Sequence, residues 1–339
     1  MKKTSLNDIA NKLGVSKSLV SLVLNGKAKQ NRIGDEISEK VLKLAKELNY
    51  QPNQIARSLR LGRSETIALI VADISNPFFA RMGRAVEDEA DKFGFKVIFS
   101  SSDENPDKLG ELLNVLIDRQ VDGFIISPTI KSKEYILKLK KNNIPFVLID
   151  RCLPPIKTNS VVVDNYNSTY YAVKFMLEKG YKKTGFITVS SGLSNMKERL
   201  LGYKDAMKNF GVRGYGSYIR EVDYKNFNES VGEAVKELLL TQNNLRALFF
   251  ATLRVGMAAI KSINDLKLRI PQDVAVISFD DADAYQIFYP PITAIAQPID
   301  MMSSEAVKIL INEIKQKNVK TEKTQIVLPT EFIIRESCC

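Results

Sequence analysis

Histidine and tryptophan are absent from the 339 residues, and cysteine occurs only three times. Without histidine, zinc sites of the mixed Cys/His type and Ser–His–Asp catalysis are excluded. Cys152 is isolated, and Cys338 and Cys339 are neighbours at the end of the chain, where a bridge between them would be strained. They read as a reduced tail, so neither a metal site nor a cofactor is expected. Also missing is any apolar run long enough for a secretory signal or a membrane span, since Met1, Lys2 and Lys3 lead straight into a capped helix. The expectation is a cytoplasmic protein with no membrane partner. With 45% apolar residues the composition is that of an ordinary globular chain, and the length exceeds what one compact core organises.

Net positive charge is nearly lacking over most of the chain and concentrated at its head. Residues 1–63 carry thirteen Lys and Arg against five Asp and Glu, whereas the rest carries 36 against 34. A basic head on a nearly neutral body is the electrostatic footprint of a module that displaces counterions from phosphate.

The same head holds a pair of short amphipathic helices. Leu6, Ile9, Ala10 and Leu13 share one face of a helix started by Ser5 and stopped by Gly14, which supplies the conformation a tight turn needs. Ser16 can cap a second helix in SKSLVSLVLNG, whose Leu19, Val20, Val23 and Leu24 form its core side. The spacing Ala10, Gly14, Val20 is that of a helix-turn-helix, although two amphipathic helices joined at a glycine could mimic it. A third helix over Asp35–Leu48, with Ile37, Val41, Leu44, Ala45 and Leu48 in its apolar stripe, completes a small core.

The connector NYQPNQIARSLRLGRS follows. Pro52 ends the third helix, Asn53 can cap a new one, and Gly62 and Ser64 release the chain. Gln54–Leu61 is about two turns, well short of the roughly 12 to 15 residues at which an isolated helix is marginal in water. Arg57, Arg60 and Arg63 form a cationic side and Ile55 and Leu59 an apolar one, a combination that suits a kinked minor groove. A plain interdomain linker is the alternative.

These stretches resemble the DNA-binding head and hinge of the lac repressor and galactose repressor family. The resemblance rests on VSKSLVSLVLNG and ELNYQPNQIARSLRLGRSETIALIVADISNPFFA, and continues through VDGFIISP, RLLGYKDAM, IPQDVAVISFDD, PPITAIAQP and LPTEFIIRES. It implies major-groove contacts from the second helix, at Ser16, Lys17, Ser18, Ser21, Leu22 and Asn25. It also implies minor-groove and hinge roles for Asn53, Ala56, Arg57, Leu59 and Arg60, with Leu59 inserted at the centre of a two-fold operator. Many members carry arginine where this chain has Leu22. Arginine reads guanine in a bidentate manner, whereas leucine offers only apolar contact, for instance with a thymine methyl. The usual operator half-site is therefore not expected.

Beyond the connector, short β-branched runs alternate with amphipathic helices. Ile67–Ala72, Lys96–Ser100, Gly123–Ser127 and Pro145–Ile149 read as strands, with helices near Phe79–Lys92, Lys108–Arg119 and Ser132–Lys141. Nearly continuous apolar strands indicate a parallel sheet covered on both faces, a doubly wound α/β lobe. A second series has strands around Thr184–Val189, Ser217–Val222, Ala247–Ala251 and Val274–Phe279. Its helices lie near Ser168–Lys179, Lys197–Asn209, Asn228–Leu240 and Val255–Ile263. Two lobes around a cleft resemble the periplasmic sugar-binding fold, which implies chain crossings near Ala294–Pro298 and Asn318–Thr324. The domain organisation expected is residues 1–50 for the head and 51–64 for the hinge. Residues 65–339 form the two-lobed body, lobe one being about 65–164 plus 295–320 and lobe two about 165–294 plus 321–339.

Ligand chemistry belongs at the carboxyl ends of strands facing such a cleft. Asn76, Phe78 and Phe79 follow the first strand, Asp150 the fourth and Asp280 the run VAVISF, while Asn195 and Arg199 lie near the start of a helix, Tyr224 follows a strand and Gln297 lies in the crossover. The family resemblance makes these an effector site, with Phe79 stacking and Arg199 and Asp280 fixing polar groups. Each also has an ordinary reading as a helix cap or its ion partner. Sugar-binding members usually have an Asn-Asp pair after the strand, where this chain has Leu253 and Arg254. Gaining a cation favours a modified sugar, sugar acid or phosphorylated sugar as much as a neutral hexose, unless Arg254 points away.

The whole reads as a dimeric, operator-binding transcription regulator, a repressor controlled by a small carbohydrate-type metabolite, and not an enzyme. No apolar heptad tail follows Ser337 to suggest a tetramer. The competing readings are a solute-binding protein of transport, opposed by the basic head and missing signal, and an enzyme using Asp150 and Asp280 as acid and base. The second lacks a histidine, nucleophile elbow or phosphate loop to support it.

Overall fold

The computed structural model describes residues 4–50, 63–241, 245–316 and 322–338, and the chain divides into two compact units between Ser64 and Glu65. The expected hinge residues Asn53, Ala56, Arg57, Leu59 and Arg60 lie outside the described residues.

The head is built from α1 (Leu6–Leu13), α2 (Lys17–Leu24) and α3 (Asp35–Glu47). Ser5 and Asp8 make a reciprocal capping box at the start of α1, the Ser5 N–H donating to Asp8 at 2.7 Å. Gly14 ends α1 in the left-handed conformation, φ 63°, which lets its N–H bond back to the helix. Ile9, Ala10, Val20, Val23, Val41 and Ala45 close a single small core.

In the second unit, β1 (Thr66–Val71), β2 (Lys96–Ser101), β3 (Gly123–Ile126), β4 (Phe146–Ile149), β5 (Ser160–Val163) and β11 (Gln325–Leu328) form one sheet, ordered β11-β5-β4-β3-β1-β2 and parallel throughout. The other contains β6 (Thr184–Val189), β7 (Ile219–Val222), β8 (Ala247–Phe250), β9 (Ala275–Phe279), β10 (Thr293–Ala296) and β12 (Glu331–Ile333), ordered β12-β10-β9-β8-β6-β7. Among the described residues, only β12 runs antiparallel to its neighbour, β10, and the other pairs of this sheet are parallel.

Successive strand residues point to opposite faces, and each face of each sheet finds helices. Ile67, Leu69 and Val71 join the cluster that includes α4 (Pro77–Lys92), whereas Ala68 and Ile70 pack with α5 (Pro106–Asp118) and α6 (Lys133–Lys141). In lobe two, Phe186 and Phe249 share a cluster with α7 (Asn165–Glu178) and α8 (Ser194–Asn209). Ile187 and Phe250 share theirs with α9 (Phe227–Leu240) and α10 (Leu253–Asp265). After α11 (Asp283–Ile287), the chain enters α12 (Ile299–Lys315), whose Val307 and Leu310 join the cluster that also holds Ile67, Leu69 and Val71.

Three details differ from expectation. The strand Ser160–Val163 was not anticipated, because VVV is short and follows a proline-containing loop. Lys96–Ser101 is an edge strand with exposed and half-buried residues, not a covered apolar run. The last crossing lies between Leu328 and Glu331, not at Asn318–Thr324, and the expected assignment of residues 321–339 to lobe two is thereby corrected. Thr324 is tied to lobe one by Ser160 and Asn159, and Ile326, Val327 and Leu328 extend that sheet beside Val161–Val163. The first return falls at Ala296–Ile299, close to the expected place, but Ala296 itself still pairs within lobe two.

Candidate functional site

In the head, α2 turns Val20 and Val23 into the core and leaves Lys17 and Ser18 exposed, with Ser21 and Leu22 half-buried. The two ends of the helix use their own polar groups. Ser16 Oγ accepts from the Leu19 N–H at 3.1 Å, and Asn25 Nδ2 donates to the Ser21 carbonyl at 2.6 Å. Ser16 and Asn25 thus hold the helix, while Lys17, Ser18, Ser21 and Leu22 make one outward face of mixed chemistry.

The second site is a cavity of about 300 Å³ between the two sheets, at the carboxyl ends of their strands. All ten residues expected there from the sequence line it: Asn76, Phe78, Phe79, Asp150, Asn195, Arg199, Tyr224, Arg254, Asp280 and Gln297. Lobe one supplies the first turn of α4, where Asn76 caps the helix by accepting from the Phe78 N–H at 3.1 Å and Phe78 meets Phe79 edge to face. Pro77 at the first helical position costs no hydrogen bond there.

Asp150 after β4 and Asp280 after β9 occupy equivalent places in the two lobes, both in the left-handed region with φ 69° and 72°. This conformation costs a non-glycine residue on the order of 1 kcal/mol, least for Asp and Asn. It directs both carboxylates to the cleft side of their sheets. Asp280 accepts from the Leu253 N–H at 3.1 Å and from Gln297 Nε2 at 2.6 Å, and burial raises its pKa despite the opposing influence of Arg199. Gln297 Oε1 is buried with no hydrogen-bond partner among the described residues, and Gln297 lines the cavity.

Arg199, only 1% exposed, donates to Asn165 Oδ1 at 2.8 Å and to the Ala251 carbonyl at 2.7 Å, and its guanidinium carbon lies 3.4 Å from the centre of the Phe279 ring. Burial pulls its pKa down from the usual guanidinium value, only partly offset by Asp280 and Asp150. Both of these bonds go to neutral acceptors, so no carboxylate is bonded to Arg199 among the described residues.

One group on this wall had no signal in the sequence. Arg151 bonds Glu104 at 2.7 Å, Asp150 at 3.1 Å and the Pro128 carbonyl at 3.2 Å. Burial opposes its charge, but Glu104 and then Asp150 outweigh burial and raise its pKa. Arg151 therefore fixes Asp150 from the side. Across the cleft, Asn195 donates to Asp150 at 3.3 Å and Ser194 Oγ accepts from the Cys152 N–H at 3.1 Å, so the lobes touch along this edge.

Leu253 and Arg254 diverge. Leu253 is buried, its side chain in the core of lobe two and its N–H on Asp280. Arg254 lines the cavity and is exposed, its guanidinium 4.4 Å from the Phe227 ring centre and 6.0 Å from that of Tyr224. Burial pushes the Tyr224 hydroxyl up to about 12, so it is a hydrogen-bonding group and not a charge at neutral pH. Among the described residues, no cluster of three or more Cys, Asp and Glu could hold a metal, and no helix is long and apolar enough to cross a membrane.

Comparison with known proteins agrees with both halves. Residues 5–53 match the bacterial regulatory proteins of the lacI family, and residues 173–338 match the periplasmic binding protein-like domain. The chain is 31% identical over 338 residues to the HTH-type transcriptional regulator DegA of Bacillus subtilis (strain 168), covering 99% of this chain and 98% of that one. It is 31% identical over 337 residues to the ribose operon repressor of Halalkalibacterium halodurans, covering 98% and 97%. Among solved structures, the lac repressor dimer bound to operator and the anti-inducer ONPF matches with a TM-score of 0.86 over 99% of each chain, at 22% identity, a likeness of fold.

Proposed function

The chain belongs to the lacI family of bacterial regulatory proteins and is a DNA-binding transcriptional regulator, and we propose that it is a repressor whose cleft binds a carbohydrate-type metabolite. The observation that carries the effector reading is the convergence of Asp150, Arg199, Asp280 and Gln297, all at least nine-tenths buried, on one cavity between two lobes. Most atoms of these buried groups are satisfied by the chain itself, and Gln297 Oε1 is left without a partner among the described residues, an acceptor that a guest can fill. Hydroxyl groups of a sugar can both donate to the carboxylates and accept from the guanidinium.

On the DNA side, Lys17, Ser18, Ser21 and Leu22 read base edges, with Ser16 and Asn25 holding the helix that presents them. A lone helix-turn-helix spans few base pairs, so two copies paired by the large unit supply affinity and half-site spacing. The hinge at Asn53, Ala56, Arg57, Leu59 and Arg60 is assigned the minor groove, with Leu59 as wedge. Chemistry by Asp150 and Asp280 is not proposed, since each is held by fixed donors in place of a proton-transfer partner.

The test is selection from a randomised DNA pool at fixed salt, repeated with sugars, sugar acids and sugar phosphates. A palindrome whose occupancy changes with one compound is the expected result. No palindrome under any condition would overturn sequence-specific binding, and a palindrome unmoved by every compound that binds the protein would overturn regulation through the cleft.

A further inference from the structure

The cleft does not end at the cavity described above. A second hollow of about 420 Å³ lies against it at the mouth of the lobes, and the two share Asp73, Asn76 and Arg254 as a common wall. We infer that this outer chamber receives an anionic group of the effector, a phosphate or carboxylate held by Arg254 and Lys261, while the inner chamber receives its hydroxyl-bearing body. The inference rests on the reading of the cleft as an effector site and says which end of the effector lies where.

Charge is segregated between the chambers. The inner one is lined by Asp103, Glu104, Asp150 and Asp280 against the guanidinium groups of Arg151 and Arg199, an excess of carboxylates that disfavours an anion there and suits hydroxyl donors. The outer one contains two cations from α10, Arg254 and Lys261, seven residues apart and therefore two turns along one side of the helix. Its carboxylate among the described residues, Asp73, accepts on one oxygen from the Ser75 N–H at 2.9 Å and from Ser75 Oγ at 2.7 Å, which holds its pKa below the usual carboxylate range, and Arg254 lies near enough to add to the lowering.

Arg254 is placed for this work. Stacking on Phe227 orients its guanidinium through the ring face and leaves the in-plane N–H groups unused. Neither Arg254 nor Lys261 has a carboxylate oxygen within 4.0 Å among the described residues. Lys261 also borders an adjoining groove containing Glu229, Glu233 and Asp265, so its share of the anion is the smaller. Because Asn76 comes from lobe one and Arg254 from lobe two, an anion seated there adds a tie across the mouth of the cleft.

The experiment is calorimetric titration of the full-length protein with neutral and charged pairs: glucose with glucose 6-phosphate and gluconate, ribose with ribose 5-phosphate, and inorganic phosphate alone. Each titration is run on the wild type and on Arg254→Ala, Lys261→Ala and Asp280→Asn, with thermal unfolding to confirm that each variant is folded. The expected result is that at least one charged member binds roughly tenfold or more tighter than its neutral parent. Arg254→Ala should remove most of that difference and Lys261→Ala a smaller part. The phosphate-bearing and carboxylate-bearing arms tell the two anions apart.

Equal affinity for charged and neutral members, or a preference that survives in Arg254→Ala, would overturn the inference. So would a lack of any response to the anionic members, phosphate included. A compound whose binding is lost in Asp280→Asn but untouched in Arg254→Ala would overturn the outer chamber while leaving the inner site standing. Binding indifferent to Asp280→Asn would count against the cleft reading itself.

Discussion

Asp280 shows how a single residue can be poorly placed for stability and well placed for binding. Its carboxyl is buried and its pKa is raised, so the folded chain holds a proton there more tightly than the unfolded chain does. Stability from this group is fully present below the unfolded pKa of about 4 and is lost as pH rises through the raised folded value. Asp280→Asn, which stays neutral, should therefore gain on the wild type in thermal midpoint as pH increases from about 4 to 7. The same substitution should weaken effector binding about tenfold or more by replacing one acceptor oxygen of the carboxylate with an amide donor. Thermal scans across pH, paired with titration at neutral pH, check both directions, and a wild type that gains on the variant with rising pH would contradict the account. Arg151 was not legible beforehand for the reason Asp280 was. A carboxylate after an apolar strand announces itself locally, whereas the worth of Arg151 depends on Glu104, 47 residues away in the chain.

Leu22 is the residue that most separates this chain's expected operator from the usual one. It is half-buried on the outward side of α2, between Lys17, Ser18 and the core. Replacing it with arginine introduces a guanine reader in place of an apolar contact, a change of roughly 1 to 3 kcal/mol at one base pair. Selection on a randomised pool with Leu22→Arg should enrich guanine at a single position of each half-site and leave the other positions unchanged. Enrichment spread over many positions would mean that the helix had moved.

Two glycines separate two ways in which an element can depend on the absence of a side chain. Gly14 has open space around it, so Gly14→Ala meets no atom and costs only the left-handed backbone, about 1 kcal/mol. Gly202 in α8 is different, because a Cβ there would run into the Tyr166 carbonyl and press on the backbone of Tyr170 in α7. Gly202→Ala should cost about 1 to 3 kcal/mol through displacement of one helix from the other. Thermal unfolding of both variants, followed separately in the head and the large unit, should show the larger loss at Gly202. A smaller loss there would mean that the helices adjust freely.

At the scale of elements, periodicity exposed what was local. The three helices of the head and most strands of both sheets lay close to their expected bounds, because each has its own cap, stripe or apolar run. The strand at Ser160–Val163 and the last crossing did not, since they are decided by pairing across about 165 residues. The resemblance to the periplasmic sugar-binding fold implied a passage between lobes near Thr324. In the fold the chain there finishes lobe one, and the crossing is left to the short Pro329–Thr330 segment between two strands.

At the scale of the whole molecule, two units with different chemistry serve one outcome. The basic head supplies affinity to any duplex through phosphate, and that part weakens steeply with salt regardless of sequence. On the function proposed above, sequence preference comes from α2 and from Leu59, whose segment lies outside the described residues. Effector in the cleft would then act by changing the spacing of the paired heads, with a coupling of about 1 to 3 kcal/mol typical of such systems. Leu59→Ala removes an apolar wedge without removing a phosphate contact. It should lower affinity for the selected operator by about tenfold or more, leave affinity for random duplex nearly unchanged, and keep the slope of log affinity against log salt as it was. Filter binding or fluorescence anisotropy at four or five salt concentrations measures all three. A parallel fall for operator and random duplex would show that Leu59 supports the head as a whole, and the allosteric route would then have to run through α2 and the spacing of the dimer alone.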